Sequence, residues 1–89
     1  MTEAQQKSYH KLSSEHRNSI LQSSRCGCFC CMKFFKPAQI KEWIDAGQTA
    51  LCYWCGIDSV LCDKDVPKLN KKLLKEMEAY WFSVKDFIK

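Results

Sequence analysis

Cys28-Phe29-Cys30-Cys31, then twenty intervening residues, then Cys52-Tyr53-Trp54-Cys55-Gly56, is the segment from which the rest of this sequence can be read. Two Cys-x-x-Cys pairs at such a separation let four thiolates surround one zinc ion, each pair riding on a tight turn. The expectation is one structural Zn2+ held by Cys28, Cys31, Cys52 and Cys55. A zinc closed in by four protein ligands keeps no position for water or substrate, so the pattern points to a staple rather than a reaction.

The first cluster admits other pairings. Cys26 with Cys30 or Cys31 would leave gaps of three or four residues, which structural sites also use. Cys28 with Cys31 is the reading favoured here, and Cys26, Cys30 and Cys62 are then free thiols, expected to be small buried or half-buried residues. Gly56, directly after the second pair, suits the positive φ that the end of a metal knuckle often requires.

Length and composition agree with a stapled scaffold. The chain has 89 residues, and at this size a hydrophobic core alone supplies only about 3 to 5 kcal/mol. Seven cysteines are an odd number, two of them are adjacent, and no apolar stretch near Met1 resembles a signal peptide. Those features argue against a secreted disulfide framework and for a reducing compartment, with the cytoplasm expected. No run approaches the roughly 20 apolar residues that span a bilayer, so no membrane partner is expected.

The formal charge is +4, but four thiolates and one divalent cation bring it to about +2. It is also dispersed, with +2 in residues 1–25, −1 in 26–66 and +3 in 67–89. Such a balance is a weak footprint for nucleic acid.

Around the cysteines, the chain reads as a small α+β domain of zinc-ribbon or treble-clef-like type. Thr2 to Gln5 matches a capping box, yet the polar residues 1–12 are expected to be flexible, with the single zinc-binding domain spanning 13–89. A docking helix is expected at about 14–23. Pro37 at a first-turn position and Gly47 as a stop suggest a central short helix over 37–46, with Ile40, Trp43 and Ile44 facing the core. Thr49–Cys52 and Ile57–Cys62 flank the second knuckle with strand-like composition and suggest a short hairpin.

After Pro67 the periodicity is clean. On a helical wheel, Leu69, Leu73, Leu74, Met77, Tyr80, Trp81, Val84, Phe87 and Ile88 share one face and the charges lie outside it, which predicts a C-terminal amphipathic helix closing the core. Phe82 falls on the polar face.

Catalysis is not expected. A redox role for Cys52-Tyr-Trp-Cys55 would need the first cysteine at a helix N-terminus in a larger βαβ frame, whereas the following Gly-Ile-Asp-Ser-Val-Leu is strand-like. His10 and His16 are the only histidines, too few for a hydrolytic metal of their own. His16-Arg17-Asn18 is expected to dock the N-terminal helix through hydrogen bonds.

Taken together, His16-Arg17-Asn18, Cys28-Phe-x-Cys31, the segment Ile40 to Leu51, Cys52-x-x-Cys55-Gly-Ile-Asp-Ser-Val and Tyr80-Trp-Phe82 resemble a family of small, largely uncharacterised bacterial cytoplasmic proteins. The resemblance covers about Ser13 to Phe82. It departs from the family at Cys30, where an aromatic is usual, and at Tyr53-Trp54, where Pro-Tyr is usual; both departures spare the four ligands and make Cys30 look replaceable. It implies a zinc-ribbon or treble-clef-like domain and brings no activity with it.

The function favoured by the sequence is a non-enzymatic module that binds another protein, with Phe29, Tyr53, Trp54 and Phe82 as candidate contact surface. The alternative is a nucleic-acid binder whose knuckle aromatics stack bases while Arg25, Lys33, Lys36 and Lys41 meet phosphates. Solvent-facing knuckle aromatics beside those cations would favour the second; burial under the C-terminal helix would exclude it.

Overall fold

Three short, largely buried strands of cysteine and apolar residues build the central sheet. The computed structural model describes residues 1–82. Strands β1 (Cys26–Cys28), β2 (Phe34–Phe35) and β5 (Val60–Cys62) form an antiparallel sheet in the order β2-β1-β5. Cys26 pairs with Phe35 on one side and with Cys62 on the other. Since successive side chains point to opposite faces, Cys26, Cys28, Phe35, Val60 and Cys62 enter one core, whereas Phe34, Leu61 and Phe29 enter another.

The first core contains Cys28 and Cys52 of the metal-ligand candidates, with Cys31 packed against it and Cys55 exposed, together with Ile20 of α2 (Arg17–Leu21) and Ala50 of β4 (Thr49–Ala50), the hairpin partner of β3 (Trp43–Ile44). The second is closed by α3 (Lys71–Trp81), which buries Leu73, Leu74 and Met77. Asn70 caps this helix, accepting a hydrogen bond from the Leu73 N–H at 2.9 Å. Leu69 lies just before the helix and is buried, while Tyr80 is exposed. The wheel also placed Val84, Phe87 and Ile88 on this face; they lie outside the described residues. Gly27 lets the helix approach: a Cβ there would stand 3.0 Å from Leu74 Cδ1 and 3.1 Å from Phe34 Cε1.

The sequence expectations need four corrections. Residues 1–12, expected to be flexible, contain helix α1 (Glu3–Lys11), with both bonds of the Thr2–Gln5 capping box formed. Tertiary contacts hold it: Tyr80 donates to Glu3 at 3.0 Å, Gln6 Nε2 donates to the Glu76 carbonyl, and the His10 ring lies 4.2 Å from Trp81. The docking helix is shorter than 14–23, because Glu15 has φ 48° and helical geometry starts only at Arg17.

The helix expected over 37–46 does not form. A single 3-10 turn, Pro37–Gln39, gives way to strand β3 (Trp43–Ile44), which pairs with β4 (Thr49–Ala50). Asp45, Ala46 and Gly47 all have positive φ, a backbone path that no helix follows. The hairpin wins because tertiary groups hold both its ends. Arg17 stacks 4.5 Å over Trp43 and donates to the Gly47 carbonyl at 2.9 Å, and Leu51 N–H donates to the Glu42 carbonyl at 3.0 Å.

The expected hairpin between Thr49–Cys52 and Ile57–Cys62 is also replaced. Only the closing bond from Cys52 N–H to the Ile57 carbonyl remains, at 3.0 Å; beyond it β4 pairs with β3, and β5 with β1. The second Cys pair thus joins two separate sheets.

Candidate metal centre

Two five-residue turns of the same construction bring the thiols together. In the first, Met32 N–H donates to the Cys28 carbonyl at 2.8 Å and Cys28 N–H to the Lys33 carbonyl at 3.0 Å. In the second, Gly56 N–H donates to the Cys52 carbonyl at 3.0 Å and Cys52 N–H to the Ile57 carbonyl at 3.0 Å. The fifth residue has positive φ in both, 61° at Met32 and 76° at Gly56. Within each turn an amide also points at the leading sulfur: Cys30 N–H to Cys28 Sγ and Trp54 N–H to Cys52 Sγ, both at 3.3 Å.

The turns face one another so that Cys28 Sγ lies 3.6 Å from Cys55 Sγ, and Cys31 Sγ 3.7 Å from Cys52 Sγ. All four sulfurs lie within 4.8 Å of one another and could hold a metal ion. A tetrahedron with zinc–sulfur bonds of about 2.3 Å has edges of about 3.8 Å, so the thiols already stand near the corners of such a cage. They are too far apart for a disulfide, whose S–S length is about 2.05 Å. Neither pair lies on a helix.

The electrostatics are those of crowded thiols. Burial pushes Cys28 up to about 11, against the lowering effect of Ser59 and the backbone amides. Burial and the neighbouring Cys28 also push Cys55 up, although it is the most exposed of the four. Burial opposes ionisation of Cys52 too, but the amides of Cys55 and Trp54 and the thiols of Cys31 and Cys28 outweigh it and hold Cys52 below the ordinary range. One thiolate is thus stabilised by backbone amides first and by the other thiols second, and a bound divalent cation is the group that would let all four shed their protons.

The other thiols stand apart from this cluster. Cys26 and Cys62 are wholly buried opposite one another in the sheet, with burial pushing Cys26 up to about 12. Cys30 is half-buried. Ser59, which the sequence reading passed over, touches Cys28 Sγ through its hydroxyl at 3.0 Å and is buried. Its signal lay in Asp58-Ser59 directly before β5: a small hydroxyl residue entering a buried strand needs a hydrogen-bond partner.

The expected contact surface divides. Phe29 is 1 % exposed, its ring 5.6 Å from Phe82, so Phe29 is core and not surface. Alternation explains it, because the same chain direction that turns Cys28 to the metal face turns Phe29 to the helix face. Phe82 is half-buried against it rather than on a polar face, since the helix ends at Trp81. Tyr53 is half-buried, and Trp54 is 52 % exposed.

His16 lies outside the cluster, buried, with Nδ1 donating to the Leu12 carbonyl at 2.8 Å and Nε2 accepting from Ala50 N–H at 3.1 Å. Both ring nitrogens serve the docking of α2. Among the described residues, no helix is long and apolar enough to cross a membrane. Comparison with protein-family models, with curated proteins and with solved structures found no match, so the family resemblance rests on the quoted residues alone.

Proposed function

We propose that this protein is a non-enzymatic binding module of zinc-ribbon type, stapled by one structural Zn2+ on Cys28, Cys31, Cys52 and Cys55. The observation that carries this reading is the pair of matching turns whose sulfurs converge within 4.8 Å. Soft sulfur donors at tetrahedral corners select zinc or iron. Zinc is favoured because it needs no redox partner and suits a closed structural cage. A ribbon is favoured over a treble clef because both Cys pairs ride on turns of one kind.

Once four thiolates close the coordination sphere, the metal's contribution is mechanical. It ties two turns whose leading cysteines also share the first core, and it holds the tip of the second one, with Trp54 exposed and Tyr53 half-buried. A protein partner was the reading favoured by the sequence; with Phe29 in the core and Phe82 half-buried against it, the most exposed part of the contact surface is this tip and the cations beside it.

The test is the metal content of protein expressed without added metal, measured for the wild type and for seven single Cys→Ala variants. One zinc per chain is expected, lost with Cys28, Cys31, Cys52 or Cys55 and retained with Cys26, Cys30 or Cys62. A Cys30→Ala protein that lost metal while Cys28→Ala kept it would refute the ligand set.

A further inference from the structure

The rim of the second turn carries a surface that metal ligation does not use. Trp54 is 52 % exposed yet fixed, its indole Nε1 donating to the Phe34 carbonyl at 3.1 Å. Tyr53 stands edge-on to it at 4.8 Å. Lys33 Nζ lies 5.1 Å over the Trp54 ring and Lys41 Nζ 5.3 Å over the Tyr53 ring. Phe34 also lines an open groove of about 300 Å³, together with Phe35, Arg25 and Lys36. Arg25 stacks 4.1 Å over Phe34. Phe34 therefore links the exposed indole to the groove, and edge strand β2 runs beneath both.

Charge and shape narrow the partner. Among the described residues the ion pairs join Met1 to Glu76 and Lys7 to Glu3, so Arg25, Lys33, Lys36 and Lys41 are in none. Nor do these cations serve the sulfurs, whose hydrogen bonds run to backbone amides, to Ser59 and to one another. Lys33 over the exposed indole, Lys41 over Tyr53, and Lys36 with Arg25 in the adjoining groove, where Arg25 also donates to the Leu69 carbonyl, fit a ligand that alternates negative charge with planar rings. An acidic peptide supplies the charge without the rings, and a duplex keeps its bases stacked inside.

We propose that this strip binds single-stranded nucleic acid, one base stacking on Trp54 while the phosphates follow Lys33 and the Arg25–Lys36 groove. The proposal rests on the metal-stapled reading, because the metal holds the Trp54 turn against β2. It changes the favoured partner from a protein to a nucleic-acid strand on Trp54 alone, since Phe29 is buried beneath α3, Tyr53 is half-buried, and Trp54 faces solvent beside Lys33.

The experiment is fluorescence anisotropy of a labelled 15-nucleotide uridine strand with the metal-loaded full chain. Parallel titrations use a duplex of equal length and a poly-glutamate peptide, and native mass spectrometry of every sample reports its metal. Binding to the single strand should weaken with salt, with a logarithmic slope of roughly −2 to −3 for three or four phosphates. Trp54→Ala should weaken it roughly 5- to 100-fold, as loss of one stacked base does, and Trp54→Phe should recover most of that. Arg25→Gln with Lys36→Gln should lower the slope by roughly 1 to 1.5.

Metal-loaded wild-type protein that ignores the strand, binds the duplex as well, or prefers poly-glutamate overturns the proposal and leaves the metal centre standing. So does binding to the strand that Trp54→Ala does not alter. The metal centre is judged separately, by the metal mass of the same samples.

Discussion

Met32 and Gly56 hold the same place in two matching turns, and the chain meets the same conformational demand with different residues. Glycine adopts positive φ at little cost, whereas a residue with a Cβ pays about 1 kcal/mol or more. A Cβ at Gly56 would meet nothing within 4 Å, so Gly56→Ala isolates the backbone cost. We expect a loss of about 1 kcal/mol in denaturant unfolding of the metal-loaded protein; an unchanged midpoint would contradict the knuckle geometry. The gain from Met32→Gly should be smaller than this, because the Met32 side chain packs against the second core.

His16 supplies a pH dependence. Burial holds it below its usual 6.5, opposed by the Leu12 carbonyl and by Asp65. The unfolded chain takes up a proton near 6.5 and the folded chain does so only at lower pH. The stability owed to neutral His16 is therefore complete above 6.5 and lost as pH falls through that value toward the folded one. Between pH 7.5 and 6, wild-type protein should lose more stability than His16→Gln, with acid loss of metal common to both. Parallel losses would show that the ring is not held neutral between Leu12 and Ala50.

At the scale of elements, the sheet is held between two cores, and Gly27 is where α3 comes closest. Gly27→Val would push a branched side chain into Leu74 and Phe34, and should cost about 1 to 3 kcal/mol as overpacking does. The readout is the unfolding midpoint with metal stoichiometry unchanged, since Gly27 faces away from the sulfurs. A silent Gly27→Val would mean that α3 does not seat on the sheet as described.

The elements also show what could be read in advance. Helix α3 was legible because Leu73, Leu74 and Met77 repeat at helical spacing, and the four-cysteine cluster because two-residue gaps force a turn. The β3–β4 hairpin was not, because Pro37 and Gly47 carry helix start and stop signals. What overrides them is remote: Arg17 against Trp43 and Gly47, and Thr49 Oγ1 accepting from Glu15 N–H at 2.7 Å while donating to Asp45 at 2.8 Å. Ala46 at φ 58° carries no sequence signal for that conformation. Phe29 could have been placed correctly by extending the alternation of Cys26, Gly27 and Cys28 one residue further. Helix α1 escaped because its few apolar residues gain meaning only against α3.

At the scale of the molecule, a metal on the four sulfurs would tie together the turns of two parts that the β1–β5 pairing and the first core already join. One Cys pair belongs to the β1–β2 connection, and the other lies between the β3–β4 hairpin and β5. Structural zinc binding is worth about 10 to 16 kcal/mol in small domains, as much as the whole stability of an ordinary fold. Chelation should therefore remove cooperative unfolding, and returning zinc should restore it. Cys52→Ala should do the same permanently, while Cys30→Ala should stay within about 0.5 kcal/mol of wild type. Retained cooperative unfolding in the chelated protein would show that the two cores suffice without the staple.

Whether four cysteines hold a structural metal is read from the mass of the folded wild-type chain under native conditions, set against its mass after denaturation. The native species should carry one zinc, denaturing it in acid should release the metal, and the seven cysteines should then be fully reduced. A folded chain without metal, or a denatured mass two hydrogens light from a bond between Cys52 and Cys55, would contradict the structural-metal reading.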